Sequence, residues 1–137
     1  MKIAVMQPYL FPYLGYFQLA ASVDRFVFFD DVNFIKKGYI HRNSIVVNGE
    51  LNRFSIPLKK ASQNDLIKDV WVADTFEDWK VKFIKTLEIN YSKAPYFSEV
   101  MDLLKKVLKN DNLSELALES VRSVFEYLNK QFNCLKS

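Results

Sequence analysis

Two short apolar runs near the start of the chain are separated by about one helix length, and this arrangement constrains the fold more than any other feature. Residues 2–6 end at Gln7-Pro8, where proline removes a backbone donor. Residues 25–29 are β-branched and aromatic and end at Asp30-Asp31. Residues 16–23 between them suit a helix. Because two buried strands joined by a helix run parallel, the pattern predicts a βαβ unit with ligands outside the carboxyl ends of its strands.

The middle of the chain carries a hairpin signal. Residues 42–47 and 51–58 flank Asn48-Gly49, and Asn-Gly between β-branched runs favours a two-residue turn. The sequence therefore predicts a hairpin that follows the βαβ unit.

The second half of the chain has helical periodicity. Thr75 followed by Asp78 resembles a capping box that opens an amphipathic helix ending near Tyr91. Two further helices are predicted at residues 97–108 and 112–128. We expect a single α/β domain over residues 1–137, with a small mainly parallel sheet, a βαβ start, a β-hairpin and a helical C-terminal half. Its strand-rich, ligand-binding half would be residues 1–60, and its mainly helical half residues 61–137.

Charge and cysteine content narrow the class of protein. The 19 Lys and Arg exceed the 16 Asp and Glu by too little to indicate a nucleic-acid partner. The single cysteine, Cys134, excludes an internal disulfide framework and multi-cysteine metal sites, as expected of a cytoplasmic protein. The apolar start is interrupted by Pro8 and Pro12, which argues against a signal peptide and against membrane insertion. We expect a small-molecule substrate; a homo-oligomer stays open, and the sequence does not specify a cofactor.

Aromatic residues are concentrated between Tyr9 and Tyr39. The chain contains 12 Phe, 7 Tyr and 2 Trp, which together make 15% of its residues. Aromatic side chains serve as core filler, and they also form stacking or sugar-binding walls. Both interpretations stay open at this point.

The densest group of polar residues lies between the second strand and the hairpin. Asp30, Asp31 and His41, the only histidine, are candidate catalytic groups that would handle protons. Lys37 and Arg42 are candidates to hold phosphate groups. The competing interpretation is an ordinary solvated connector, in which two adjacent acids form a turn. Adjacent carboxylates can also bind a divalent cation, but we predict no metal site.

The segment after the first strand is a second candidate site. In Tyr13-Leu14-Gly15-Tyr16, tyrosines occupy the places where nucleotidyltransferase-like proteins carry the histidines of a His-x-Gly-His signature. Gly15 would let an anion approach the helix N-terminus, whose free amides favour negative charge. Without the histidines, the usual contacts to a phosphate in the transition state are missing.

Longer motifs resemble a known family. The opening Gln-Pro-Tyr-x-x-Pro-x-x-Gly-Tyr-Phe from Gln7 to Phe17, the Phe-Asp-Asp-Val at 29–32, and the His-Arg-Asn-Ser-Ile at 41–45 resemble the WbqC-like family of bacterial proteins. Matches continue in order through residues 57–60 and 91–97. The chain departs from the family pattern at Asn33, Tyr39, His41 and Phe83. Members are commonly longer, so the chain resembles the N-terminal part of such a protein.

The resemblance implies a function and a set of site residues. Because members occur with genes for O-antigen and other surface polysaccharides (lipopolysaccharide), it implies a cytoplasmic transferase acting on an activated sugar or on an acyl or aminoacyl donor. The alternative is a non-catalytic binding or scaffold subunit of a polysaccharide-biosynthesis complex. The ligand-binding residues, taken from the resemblance and from the strand ends together, are Gln7, Pro8, Tyr9, Pro12, Tyr13, Gly15, Tyr16, Lys37, Arg42 and Asn43.

Overall fold

The computed structural model describes all of residues 1–137 and has a mixed α/β fold, as the sequence predicts. Five strands, four α-helices and one 3₁₀ turn, Ile67–Asp69, make up the regular structure. In chain order the strands and α-helices are β1 (Ile3–Met6), α1 (Leu14–Ser22), β2 (Arg25–Phe28), β3 (Arg42–Val47), β4 (Glu50–Ser55), α2 (Phe76–Tyr91), α3 (Phe97–Val107), α4 (Leu113–Tyr127) and β5 (Cys134–Lys136).

A three-stranded parallel sheet forms in the order β1-β2-β5. Ile3 of β1 lies opposite Arg25 of β2, and Phe26 of β2 lies opposite Cys134 of β5. The βαβ start is therefore confirmed. The third strand was not predicted, because three residues are too few to show a periodic pattern.

The two faces of this sheet are covered differently. On one face Phe26 and Phe28 are fully buried against α1 and α4 and pack with Tyr16, Val121 and Phe125. On the other face three apolar side chains are exposed at 50–56%: Ile3, Val5 and Leu135. Parallel sheets are normally buried on both faces, so the outer face of this one is unusual.

The predicted hairpin is present as the antiparallel pair β3 and β4. Asn48 has φ 51° and Gly49 has φ 78°, the positive values that a type I′ turn requires. Strand β4 ends at Ser55 and does not continue to Leu58 as the pattern predicted.

The helical half forms the remaining core. Helices α2 and α3 pack beneath the hairpin around Ile56, Phe83 and Leu104. The side chain of Asn112 accepts a hydrogen bond of 3.1 Å from the Glu115 amide and so caps α4. The predicted side-chain cap at Thr75 is wrong, because that residue already has helical backbone angles and makes no capping bond. No helix of the chain has both the length and the apolar character needed to cross a bilayer.

Candidate functional site

Asp30 lies at the carboxyl end of β2 and is only 1% exposed. Its carboxylate accepts hydrogen bonds from the Ser114 hydroxyl at 2.5 Å and the Ser137 hydroxyl at 3.2 Å. The Lys136 ammonium lies 3.4 Å away. Ser114 is in the first turn of α4, where the helix dipole favours a negative charge. The carboxylate thus joins the ends of β2, β5 and α4, and its acceptor positions are largely occupied by these donors.

Asp31 lies at the same edge of the sheet as Asp30, but its side chain is more exposed to solvent. Its side chain is 47% exposed and pairs with Lys68 at 3.0 Å. The hydrogen bond and charge of Asp31 raise the pKa of Lys68. Burial alone would lower the pKa of Lys136, but its hydrogen bond to Glu115 and the nearby Asp30 charge raise it overall. Asp30 and Asp31 therefore both have a cationic partner.

His41 is held by a loop with its own small core. Phe34 and Ile40 from this loop are buried with Ile67, Val70 and Leu113. The His41 ring packs against Phe34 with 5.3 Å between centroids. The apolar residues of the loop thus fix the ring just before β3 begins.

The basic pocket lies in front of His41 and has a volume of about 310 Å³. Its lining contains three lysines and no carboxylate. None of these lysines takes part in an ion pair. The lining residues are Phe34, Lys36, His41, Ile56, Leu58, Lys59, Lys60 and Ala61. The pocket therefore concentrates positive charge that is not compensated within the chain.

The protonation state of His41 follows from these surroundings. Burial, together with the Arg42 charge, lowers the pKa of His41 to about 4. The buried Nδ1 atom has no hydrogen-bond partner. His41 is therefore neutral near pH 7, and its ring lines the pocket. No hydrogen bond or ion pair joins it to Asp30 or Asp31.

Lys37 and Arg42, which the sequence predicts to hold phosphate, do not line the basic pocket. Arg42 donates from Nε to the Gly38 carbonyl at 3.0 Å and from a terminal nitrogen to the Lys37 carbonyl. These bonds close the loop that carries Lys37, whose own side chain is exposed. Asn43 donates to the carbonyls of Leu10 and Phe11 at 3.0 and 2.6 Å. Arg42 and Asn43 thus bind backbone within the chain.

The predicted residues of the opening segment are divided between core and surface. Pro8 is buried, while Gln7 and Pro12 are partly exposed. The Tyr16 hydroxyl donates to the Gln7 carbonyl at 2.9 Å, and burial of Tyr16 raises its pKa.

The aromatic rings of this segment lie on both sides of the start of α1. The Tyr9 ring lies 5.8 Å from the Tyr16 ring. Tyr13 is 68% exposed, and its ring lies over Gly15, only 2.5 Å from where a Cβ would stand. The ring therefore covers the first turn of α1, where an anion was expected to approach.

Sequence reasoning missed Lys59 and Lys60, which look like part of a solvated surface. Lys36, the third lysine, comes more than twenty residues earlier. The hairpin returns the chain to the His41 loop and so brings the three lysines together. Two signals were available: Lys59-Lys60 directly follows a predicted hairpin that itself follows a polar loop, and residues 57–60 belong to the family resemblance.

Comparison with known proteins identifies the class. Residues 7–137 match the WbqC-like protein family, and the chain belongs to this family. It is 31% identical over 131 residues to the uncharacterized protein Rv1507c of Mycobacterium tuberculosis, an alignment that covers 93% of this chain and 56% of that protein. The chain thus spans about half the length of this curated relative. No solved structure matches the chain.

Proposed function

We propose that the chain is a cytoplasmic group transferase of surface-polysaccharide (O-antigen) biosynthesis that binds a phosphate-bearing activated donor in the basic pocket. The donor is a nucleotide-linked sugar or an activated acyl or aminoacyl group. One observation carries the proposal: three unpaired lysines and a neutral histidine line the same pocket. Lysine ammonium groups bind phosphate through charge and hydrogen bonds, and a neutral imidazole accepts a proton.

The proposed step uses His41 as a general base. The His41 ring, which lines the pocket, takes the proton from an acceptor hydroxyl or amine as the acceptor oxygen or nitrogen bonds to the transferred carbon. The bond from that carbon to the phosphate-bearing leaving group breaks, and its electron pair leaves with the phosphate. Lys36, Lys59 and Lys60 balance the charge that develops there. A bound phosphate also favours protonated His41, which raises the pKa of the ring toward its ordinary range.

Asp30 and Asp31 have a supporting role in this proposal. Asp30 is committed to Ser114, Ser137 and Lys136, and Asp31 to Lys68. They keep the carboxyl edge of the sheet together, and His41 handles the proton.

The test is ligand binding followed by turnover. Nucleoside diphosphates, nucleotide-linked sugars and acyl or aminoacyl phosphate donors are screened by the rise in melting temperature that binding to the native state must cause. With a hit, we expect Lys36→Gln or Lys60→Gln to weaken binding about ten- to a hundredfold, since a charge-assisted hydrogen bond contributes about 1.5–3 kcal/mol. Lys105→Gln is the matched control, because Lys105 is exposed on α3 and makes no ion pair. His41→Gln should bind the donor but lose at least about a hundredfold in transfer rate.

Two results would overturn this proposal. The first is that no member of the panel stabilises the protein. The second is that the Lys105 control weakens binding as much as the pocket variants do.

A second candidate function is the non-catalytic binding or scaffold subunit. The outer sheet face with Ile3, Val5 and Leu135 exposed favours it, because such a surface is buried when a partner covers it. A scaffold subunit would keep its ligand and partner binding in His41→Gln and would show no turnover in the unchanged chain. Substitution of Val5 by Glu would then release the partner.

A further inference from the structure

A groove runs beneath the hairpin, between β3 and β4 on one side and α2 and α3 on the other. It consists of three adjoining cavities with volumes of about 310, 300 and 390 Å³. Ile45 lines all three, Phe54, Trp79 and Phe83 line the first two, and Leu87 and Val100 line the first and third. We refer to this continuous space as the hairpin groove.

The centre of the hairpin groove is apolar. Of the 14 residues that line the 310 Å³ section, 12 are hydrophobic. Trp79 stacks on Phe83 with 4.7 Å between ring centroids, and Phe54 lies 4.7 Å from the same phenylalanine. These rings form one continuous wall, against which a hydrocarbon chain loses contact with water.

The Asn43 amide and the Tyr91 hydroxyl, two polar groups that line the groove, already have partners. The Asn43 amide donates to the Leu10 and Phe11 carbonyls. The Tyr91 hydroxyl donates to the Val46 carbonyl at 2.7 Å and accepts from the Val46 amide at 2.8 Å. The central section therefore offers few free hydrogen-bonding groups to a sugar ring, and this favours a hydrocarbon occupant.

Charge is present only at one end. Arg53 and Lys82 line the 300 Å³ section, and no Asp or Glu lines any of the three sections. Neither cation forms an ion pair within the chain. The groove thus combines an apolar channel with a positively charged mouth, which is complementary to a molecule with an apolar tail and an anionic head.

We propose that the hairpin groove binds a single-chain aliphatic anion, with its chain against Trp79, Phe83 and Leu104 and its anionic head beside Arg53 and Lys82. This site is separate from the basic pocket. Ile56, which lines both spaces and is 1% exposed, forms the wall between them. The inference goes beyond the proposed transfer reaction and does not depend on it.

The test uses Trp79 as a reporter. The chain has two tryptophans, and Trp71 is 46% exposed and outside the groove, so Trp71→Phe leaves Trp79 alone. The probe is dodecanoate brominated near the end of its chain, used below its micelle concentration, because bromine quenches tryptophan fluorescence on contact. We expect saturable quenching. Displacement by unlabelled butanoate should be at least about a hundredfold weaker than by dodecanoate, because each buried methylene contributes about fourfold in affinity.

Matched variants test the positively charged mouth and the apolar channel separately. The Arg53→Gln and Lys82→Gln double variant should bind dodecanoate about tenfold more weakly and bind dodecanol unchanged. Val100→Glu, at a 49% exposed position on the groove wall, should abolish quenching. Val81→Glu, at a 70% exposed position on α2 outside the groove, is its control and should bind normally.

Three results would overturn the proposal. The first is the absence of saturable quenching in the Trp71→Phe protein. The second is equal binding of dodecanoate by the Val100→Glu and Val81→Glu variants. The third is a dimer, seen by sedimentation, that Val100→Glu dissociates and dodecanoate does not affect. The last result would assign the groove to a second copy of the chain. His41→Gln should leave dodecanoate binding unchanged, so failure of the proposed transfer function is distinguishable from failure here.

Discussion

The half-buried ring of His41 makes the free energy of unfolding depend on pH in a way that His41→Gln removes. The pKa falls from an ordinary 6.5 to about 4 in the folded protein, mainly through burial. A difference of this size corresponds to about 3 kcal/mol of folding free energy between the two limits of pH. Because the ring is partly exposed, solvent screening reduces this to about 1.5 kcal/mol.

The direction of the effect follows from which state binds the proton. Above pH 6.5 the ring is neutral in both folded and unfolded chains, so His41 does not lower the free energy of unfolding. Between pH 6.5 and about 4 the unfolded chain gains the proton and the folded protein does not, so stability falls as the pH falls. Below about pH 4 the full loss is reached.

Urea unfolding at several pH values between 7 and 4 measures this loss. Carboxylates also titrate in this range, so the informative quantity is the difference between the unchanged protein and His41→Gln. We expect the unchanged protein to lose about 1.5 kcal/mol more than the variant between the two ends of the series. Identical pH profiles for the two proteins, or a His41 pKa near 6.5 by NMR, would refute the buried neutral ring.

Two further substitutions test the sheet edge and the hairpin turn. Asp30→Asn should lower the free energy of unfolding by about 2–3 kcal/mol, because the fully buried Ser114 hydroxyl and the Lys136 ammonium lose a charged acceptor that is itself buried. Asp31→Asn changes a half-exposed neighbour and should lower the free energy of unfolding by less than about 1 kcal/mol. Equal losses for the two variants would contradict the structural role of Asp30. Gly49→Ala should cost about 1 kcal/mol through its φ of 78° alone, since no atom lies within 4 Å of the added Cβ, and a raised melting temperature would contradict this.

The local signals in the sequence predicted most of the fold. The apolar runs of β1 and β2 and the Asn48-Gly49 turn are each specified by neighbouring residues, so pattern alone locates them. Strand β5 is different, because its three residues form a strand only through pairing with β2. Thr75 shows the same limit at a helix end, since cap geometry depends on the backbone angles of the preceding turn.

The candidate site was harder to predict than the fold for a related reason. A strand end indicates where polar residues gather, and Asp30, Asp31 and His41 do lie after β2. The chemical role of each side chain depends on contacts with residues that are distant in sequence. Ser114 and Lys136 reach Asp30 only after α4 and β5 have packed, and Lys59 reaches the His41 pocket only after the hairpin has turned.

These contacts decide which of the predicted catalytic residues is suited to proton transfer. A general base needs a free acceptor atom that changes protonation without breaking the structure around it. Protonating Asp30 would weaken its interactions with Ser114, Ser137 and Lys136, on which the junction of β2, β5 and α4 depends. Protonating the His41 ring breaks no hydrogen bond at Nδ1, which has no partner, and an anion held by the pocket lysines would offset the added charge. For this reason we propose His41 for proton transfer and Asp30 for structural support.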